Sequence, residues 1–271
     1  MKNAFITGAG SGIGRSLAHA LADRGYGVFI TDINEDNLKK VEEELKQKQV
    51  NVQARKLDVS DKDAVFAAAD EAEKTLGPID ATFNNAGVSL SDTVEKMSYD
   101  DFEWLMDIVF WGVVHGTKAF LPKMLERNSG HIVNVSSIFG HVGIPSQSAY
   151  CAAKHAVKGF NESLMYELKD TNVQVHTVHP GGVDTGIVSG GRHRNNVDGQ
   201  VDPDALQKNF KTLAITTPDQ AAEIILKGMD RGDYRILVGK DARFIDRFQR
   251  WFPNLWINRF KKEMDKKSTA F

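Results

Sequence analysis

The chain has 271 residues, 41% of them hydrophobic and 26% charged, which is typical of one soluble globular domain. Its 34 basic and 36 acidic residues give a formal charge of −2, so the overall charge favours neither a nucleic-acid nor an anionic-membrane partner. The single cysteine, Cys151, excludes an internal disulfide framework, and no apolar run reaches the roughly 20 residues that span a bilayer. The first residues leave no room for a signal peptide, so we expect a cytoplasmic protein.

Short apolar strands alternate with longer helical patterns, which predicts repeated βαβ units. The strands are expected at about residues 3–7, 27–32, 52–57, 80–84, 131–136, 173–178 and 235–238. The helices are expected at about residues 13–24, 34–48, 61–76, 99–127, 149–170, 203–210 and 218–230. Together they predict a doubly wound, seven-stranded parallel Rossmann sheet with helices on both faces, forming one domain over residues 1–240. Asp61, Ser98 and Thr217 are expected to cap the helices that follow them.

Two segments break this alternation. Residues 186–202 are polar and rich in Gly and Asn, and we expect them to form, with the helix that follows to about residue 213, a lid over the substrate. A merely mobile surface loop is the alternative. From Lys240 onward nine basic residues oppose four acidic ones, so this extension carries +5 and the rest of the chain −7.

A glycine-rich turn follows the first strand, where residues 7–14 read TGAGSGIG. At the start of the first helix such a turn lets backbone N–H groups approach a dinucleotide pyrophosphate. We expect the cofactor to contact Gly8, Ser11, Gly12, Ile13 and Gly14. A tight strand-to-helix connection without a ligand is the alternative, because a glycine turn alone is a weak signal.

Asp32 ends the second strand, 18 positions after Gly14, close to the spacing of an acid that binds the adenosine ribose hydroxyls. Its carboxylate would repel the 2′-phosphate of NADP, and Ile33 and Asn34 supply no cation beside it. We therefore predict NAD, with Arg15 as the one cation that could change this preference.

Tyr150 and Lys154 lie four residues apart at the start of a helix, so they project from one face. A nearby ammonium lowers the pKa of a phenol, as an acid/base for an alcohol proton requires. Ser137 lies at the C-terminal end of the preceding strand, where open parallel sheets hold their sites, and can donate to a substrate oxygen.

In these features the chain resembles the short-chain dehydrogenase/reductase family, over about residues 3–240. The resemblance rests on the glycine turn, Asp58-Val59, the Asn-Asn-Ala-Gly sequence at 84–87, Ser137, Tyr150 with Lys154, and residues 180–185. It implies an NAD(P)-dependent oxidoreductase in which Tyr150 is the acid/base, Lys154 holds the nicotinamide ribose, and Ser137 orients the substrate.

The resemblance also assigns the remaining cofactor contacts. Asp58 and Val59 would flank the adenine, Asn85 and Ala86 would line the ribose, and Val183 and Thr185 would contact the carboxamide. Gly87, Pro180 and Gly181 complete the expected cofactor surface. Members of the family often assemble as homotetramers or homodimers, paired through the helices expected at 99–127 and 149–170.

Val109 departs from the family pattern, which has an Asn there, three positions before a Gly. Valine cannot hold the water through which the family's proton relay leaves Lys154, and it cannot bond the backbone to support a helix bulge. The sequence therefore leaves two functions open: an NAD-dependent alcohol dehydrogenase or carbonyl reductase, and an NAD-binding protein with impaired catalysis. An epimerase or dehydratase is disfavoured, because the short chain after residue 180 leaves little room for a larger substrate domain.

The expected substrate pocket is apolar. Its walls would come from Ser137, Phe139, His141 and Val142 and from the lid residues Ile187 and Val188, which suits an apolar or amphipathic ketone or secondary alcohol. Basic lid residues leave a negatively charged substrate open as the alternative. The histidines show no metal-ligand spacing, so we predict no catalytic metal.

The C-terminal extension, residues 241–271, interleaves aromatic and basic residues as in a basic amphipathic helix broken at Pro253. We expect its aromatic side chains to pack on the domain or on a neighbouring subunit. Contact with a membrane surface is the less favoured alternative.

Overall fold

Seven parallel strands form one central sheet in the computed structural model, which describes residues 1–197 and 199–266. The strands of this sheet are β1 (Asn3–Thr7), β2 (Gly27–Asp32), β3 (Val52–Lys56), β4 (Ala81–Asn84), β6 (Gly130–Val135), β7 (Val173–Pro180) and β11 (Arg235–Val238). Four shorter strands, numbered β5 and β8 to β10 in chain order, pair outside this sheet. Their order across the sheet is β11-β7-β6-β4-β1-β2-β3. The predicted doubly wound α/β sheet is therefore confirmed.

Helices cover both faces of the sheet, which is why β1 is buried along all five residues instead of alternating. They are α1 (Gly12–Asp23), α2 (Glu35–Lys46), α3 (Lys62–Leu76), α4 (Tyr99–Met106), α5 (Gly112–Arg127), α6 (Ser148–Glu167), α7 (Pro203–Leu213), α8 (Pro218–Asp230), α9 (Lys240–Trp251) and α10 (Pro253–Lys266). One apolar core joins the sheet to α1 and α8 through Leu17 and Ile225. A second joins the opposite face to α3, α5 and α6 through Val65, Phe120 and Leu164.

The predicted caps are present. Asp61 and Ser98 accept hydrogen bonds from the backbone N–H groups of Ala64 and Asp101, and Thr217 forms a reciprocal capping box with Gln220. Each satisfies backbone donors that the first helical turn would otherwise leave without partners.

The long helix predicted at 99–127 is interrupted, and that prediction is corrected. A π-helical turn at Asp107–Trp111 separates α4 from α5 and is centred on Val109, which is fully buried. A π turn inserts one residue and shifts the helix face by about 100°. The bulge therefore forms without a polar side chain at 109, and apolar packing around Val109 supports it.

The lid segment has more structure than its composition predicts. Two residues of it, β8 (Arg192–His193), pair in parallel with β5 (Leu90–Ser91). The short strands β9 (Asn195–Asn196) and β10 (Gly199–Gln200) then pair antiparallel before α7 begins. Backbone pairing to β5 fixes the first part of the lid to the segment that follows β4.

Up to residue 266, the C-terminal extension forms α9 and α10, with the break between them at Phe252 and Pro253, as predicted. Helix α9 packs against β11 and against the loop that follows β6. Over residues 1–197 and 199–266, none of the helices has both the length and the apolar character needed to cross a membrane.

Candidate active site

The glycine turn lies at the point where the strand order reverses, between β1 and β4, which is where open α/β sheets bind ligands. Gly8 and Gly12 have φ angles of +66° and +52°, a region that favours glycine. A Cβ on Gly14 would lie 2.1 Å from the carbonyl oxygen of Gly8. The close approach of the helix start to the turn thus requires a residue without a side chain.

The glycine turn and Asp32 together form a cradle, a concave backbone surface that fits a dinucleotide. A Cβ on Gly10 would lie 2.9 Å from the Asp32 carboxylate, so the turn and the acid border the same space. Asp32 accepts hydrogen bonds from the N–H groups of Gly10 and Asn34, both at 2.8 Å, which fixes its carboxylate at the end of β2. Arg15, the basic residue that directly follows the glycine turn, is paired with both Glu44 carboxylate oxygens, the shortest contact being 2.9 Å.

Thr7 and Asn85 connect the glycine turn to the end of β4. The Thr7 hydroxyl accepts from the backbone N–H groups of Asn85 and Ala86 at 3.0 and 3.1 Å. The Asn85 amide donates to the carbonyl oxygens of Thr7 and Gly8 at 3.0 and 3.2 Å. The Asn85 side chain therefore shapes the turn, and it contributes to a cofactor surface chiefly by holding the backbone in place.

Four further residues that are expected to bind the cofactor have defined surroundings. Thr185 borders the glycine turn, since a Cβ on Gly12 would lie 3.0 Å from its methyl carbon. Asp58 accepts from the N–H and hydroxyl of Ser60 at 2.9 and 2.7 Å. Val59 is buried against Gly112. A Cβ on Gly87 would lie 3.8 Å from the Lys154 ammonium, which places this glycine beside the catalytic candidates.

Tyr150, Lys154 and Ser137 meet at the carboxyl end of β6, as their spacing predicts. The Ser137 side chain lies close enough to the Tyr150 phenol to favour its ionised form. The Lys154 ammonium donates to the carbonyl oxygen of Val135 at 2.8 Å and lies 5.6 Å from the centre of the Tyr150 ring. Burial raises the pKa of Tyr150, and the Ser137 side chain lowers it in part. Burial lowers the pKa of Lys154 to about 7.

An apolar wall surrounds Tyr150. Val109 packs with Leu90, Leu105, Tyr150 and Ala153 in one buried cluster. The Phe139 ring meets the Tyr150 ring edge-on with centroids 6.3 Å apart, and Ile187 of the lid packs against the same cluster. Val142 and Val188 are also buried, at 4% and 8% exposure.

His141, which the sequence places in the pocket wall, faces the C-terminal extension instead. Its Nε2 lies 3.1 Å from Nδ1 of His179, and its Nδ1 lies 3.8 Å from the Asp246 carboxylate of α9. Nδ1 of His179 also lies 3.1 Å from the carbonyl oxygen of Ser137. Burial lowers the pKa of His141 to about 4 and that of His179 to about 3, so both are neutral near pH 7. The loop carrying Ser137 is thereby connected to α9.

Asp101 holds the lid by its basic residues, a contact that the sequence does not predict. Arg192 donates to its carboxylate at 2.7 Å, and Arg194 does so at 3.4 Å. The Arg192 guanidinium also lies 3.9 Å from the centre of the Trp104 ring. Burial raises the pKa of Asp101 in part, but hydrogen bonds from both arginines outweigh it and hold that pKa below its ordinary value.

A buried row of polar side chains beneath the site is also absent from the sequence predictions. Asn134 of β6 accepts from the Asn84 amide at 2.7 Å and donates to the Asn161 side chain at 2.7 Å. Asn161 donates in turn to the Thr177 hydroxyl at 2.9 Å. In the sequence, the one local sign of this row is the presence of Asn at buried positions of otherwise apolar strands. It ties β4, β6 and β7 to α6 directly below the reacting groups.

Within the part of the chain that the structure describes, no group of three or more His, Cys, Asp or Glu side chains could hold a metal ion.

Comparisons with known proteins agree with this geometry. A family model described as short chain dehydrogenase matches residues 2–196. SadH of Mycobacterium tuberculosis, a protein named as an oxidoreductase, is 40% identical over 247 residues, which cover 90% of this chain and 88% of SadH.

Solved structures resemble the whole fold. A short-chain dehydrogenase/reductase from Burkholderia phymatum in complex with NAD is 29% identical with a TM-score of 0.85, covering 94% of each chain. An alcohol dehydrogenase from the archaeon Thermococcus sibiricus, complexed with 5-hydroxy-NADP, is 26% identical with a TM-score of 0.72, covering 88% of this chain and 95% of that one.

Proposed function

Because the chain belongs to the short-chain dehydrogenase/reductase family, we propose that it interconverts a secondary alcohol and a ketone with NAD as cofactor. The observation that carries the proposal is the joint position of Ser137, Tyr150 and Lys154 beside the glycine cradle. When bound, NAD would supply the hydride acceptor, and NADH the hydride donor. The cofactor residues would be those of the glycine turn, Asp32 and the loop that contains Thr185.

The side chains of the site then handle the proton. Ser137 donates a hydrogen bond to the substrate oxygen, and the Tyr150 phenol gives its proton to that oxygen in reduction or takes it back in oxidation. Burial keeps Tyr150 protonated near neutral pH, the form that reduction requires. Lys154 favours the phenolate by its charge and holds the nicotinamide ribose, and its lowered pKa allows it to exchange a proton near pH 7.

The contacts around Tyr150 support an apolar or amphipathic substrate. Phe139, Val109 and Ile187 contribute hydrocarbon to the surrounding cluster. The two lid arginines are paired with Asp101, which leaves less positive charge for an anionic substrate. We extend the family's association mode to this chain as part of the proposal: homodimers or homotetramers pairing through α4, α5 and α6. Trp111, in the π turn between α4 and α5, is 47% exposed, and Tyr166 of α6 is 68% exposed.

Cofactor choice provides the first test of the proposal. With a panel of apolar ketones and alcohols, we expect NADH-dependent turnover, and a kcat/KM at least about 100-fold higher with NADH than with NADPH. The reason is that the Asp32 carboxylate would face the 2′-phosphate as a like charge. Asp32→Ala should reduce the preference to below about tenfold, whereas Asp36→Ala, on the exposed first turn of α2, should leave it unchanged. A wild-type preference for NADPH would refute the assignment to Asp32, and no hydride transfer with any substrate would refute the reaction.

The second candidate function, an NAD-binding protein with impaired catalysis, rests on Val109. We expect Val109→Asn to raise turnover more than twofold, because an amide can hold water near Lys154 and can bond carbonyls at the π turn. The same variant should melt at a lower temperature, because it places a polar group inside an apolar cluster. Val109→Ala, which adds no polar group, should show no gain. A change in turnover below about twofold, or under about 0.5 kcal/mol in barrier, would mean that position 109 does not limit the reaction.

A further inference from the structure

Helix α9 separates its charges between two faces. Both of its acidic residues point inward: Asp241 accepts from the N–H of Gly182 at 2.6 Å, and Asp246 is 4% exposed. Asp246 pairs with Arg235 of β11 at 3.0 Å. The inner face of the helix is therefore anchored to the end of β7 and to β11 by carboxylates.

The outer face of α9 is basic. Arg243, Arg247 and Arg250 are exposed, and none of the acidic side chains that the structure describes forms an ion pair with them. Because both acidic residues point inward, the outer face of α9 is more positively charged than the net charge of the helix indicates.

Aromatic side chains follow the same surface. Phe244, Phe248, Phe252 and Trp256 recur every four residues, and their rings cluster around Phe248. Its centroid lies 5.7 Å from those of Phe244 and Phe252 and 6.1 Å from that of Trp256. Phe244 is 53% exposed and Trp251 is 75% exposed. Leu255 and Ile257 extend the exposed apolar surface into α10, at 57% and 54%.

We propose that this aromatic–basic surface, formed by α9 and the first residues of α10, docks on a phospholipid bilayer that contains anionic lipids. Exposed aromatic rings insert at the boundary between headgroups and acyl chains, and arginines beside them pair with lipid phosphates. Charge decides between a bilayer and a second copy of the chain. In a two-fold contact through this face, each row of arginines would meet the other, which is repulsive. An anionic bilayer neutralises the same row and accepts the rings.

Vesicle co-sedimentation tests the proposal on the full chain. We expect binding to mixed phosphatidylcholine–phosphatidylglycerol vesicles that is at least about tenfold tighter than to pure phosphatidylcholine vesicles. Raising the salt from about 0.1 M to about 0.5 M should weaken it. The triple variant Arg243→Glu, Arg247→Glu, Arg250→Glu should bind about 100-fold more weakly, and Phe244→Ser with Trp251→Ser should weaken binding to both vesicle types.

The matched control reverses the same amount of charge elsewhere, through Lys39→Glu, Lys40→Glu and Lys46→Glu on the exposed side of α2. It should retain vesicle binding within about twofold. Equal loss in this control, or no binding of the wild type to anionic vesicles, would overturn the proposal. So would a change in oligomer mass on reversing the α9 arginines, measured by light scattering, because the surface would then be a contact between subunits. Circular dichroism checks that every variant is folded.

Discussion

Tyr150→Phe is expected to lower kcat by about 1000-fold or more, equivalent to about 4 kcal/mol of barrier. The substitution removes only the phenolic oxygen, which is the proposed proton donor and acceptor at the substrate oxygen and lies near Ser137. The ring and its edge-on contact with Phe139 remain, so the apolar cluster around Val109 stays packed. Affinity for NADH, measured by fluorescence titration, should therefore change less than about twofold.

Tyr166→Phe is the matched control, because Tyr166 also lies on α6 and is 68% exposed. It should retain full turnover. If Tyr150→Phe kept more than about a tenth of the wild-type rate, the proton would come from another group, and the role assigned to Tyr150 would be wrong.

Gly14→Ala is expected to weaken NADH binding by about 100-fold or more. The new Cβ would lie 2.1 Å from the Gly8 carbonyl oxygen and 2.6 Å from the Asn85 amide nitrogen. The start of α1 must move to relieve these contacts, and its N–H groups then no longer converge on the pyrophosphate position. Fluorescence titration with NADH measures the loss, and circular dichroism checks the fold.

Gly159→Ala supplies the control, because Gly159 lies within α6 and a Cβ there meets nothing within 4 Å. It should bind NADH normally and gain up to about 1 kcal/mol of stability from the higher helix propensity of Ala. Binding of NADH to folded Gly14→Ala within about threefold of the wild type would show that the turn does not hold the pyrophosphate.

Features carried by short sequence patterns are those that the sequence predicts well. The alternation of strands and helices indicates the sheet, because the hydrophobic pattern of each strand or helix can be recognised within about ten residues. The glycine turn and the pair Tyr150 and Lys154 are likewise local, since one turn of helix or loop sets their spacing. Asp32 needs only the length of one βαβ unit to be placed beside the turn.

Contacts between segments that are distant in sequence cannot be predicted from such local patterns. Asp101 and Arg192 are 91 positions apart, and nothing in either neighbourhood marks them as partners. His141 is a further example: its closeness to Ser137 in sequence suggests a pocket residue, and nothing local predicts that its imidazole lies 3.8 Å from Asp246, more than a hundred positions away. The π turn shows a third limit, because it persists at Val109 through packing with Leu90, Leu105 and Tyr150.

The carboxylates that anchor α9 determine whether the C-terminal extension can be separated from the sheet domain. Division of the chain near residue 240 follows a change in composition, yet Asp241 and Asp246 lie beyond that point and bond to Gly182 and Arg235 within the sheet domain. A chain shortened before Lys240 would leave the N–H of Gly182 without its carboxylate and Arg235 without its counter-ion. Helix α9 is thus structurally part of the sheet domain, and the chain division near residue 240 does not mark an independent module.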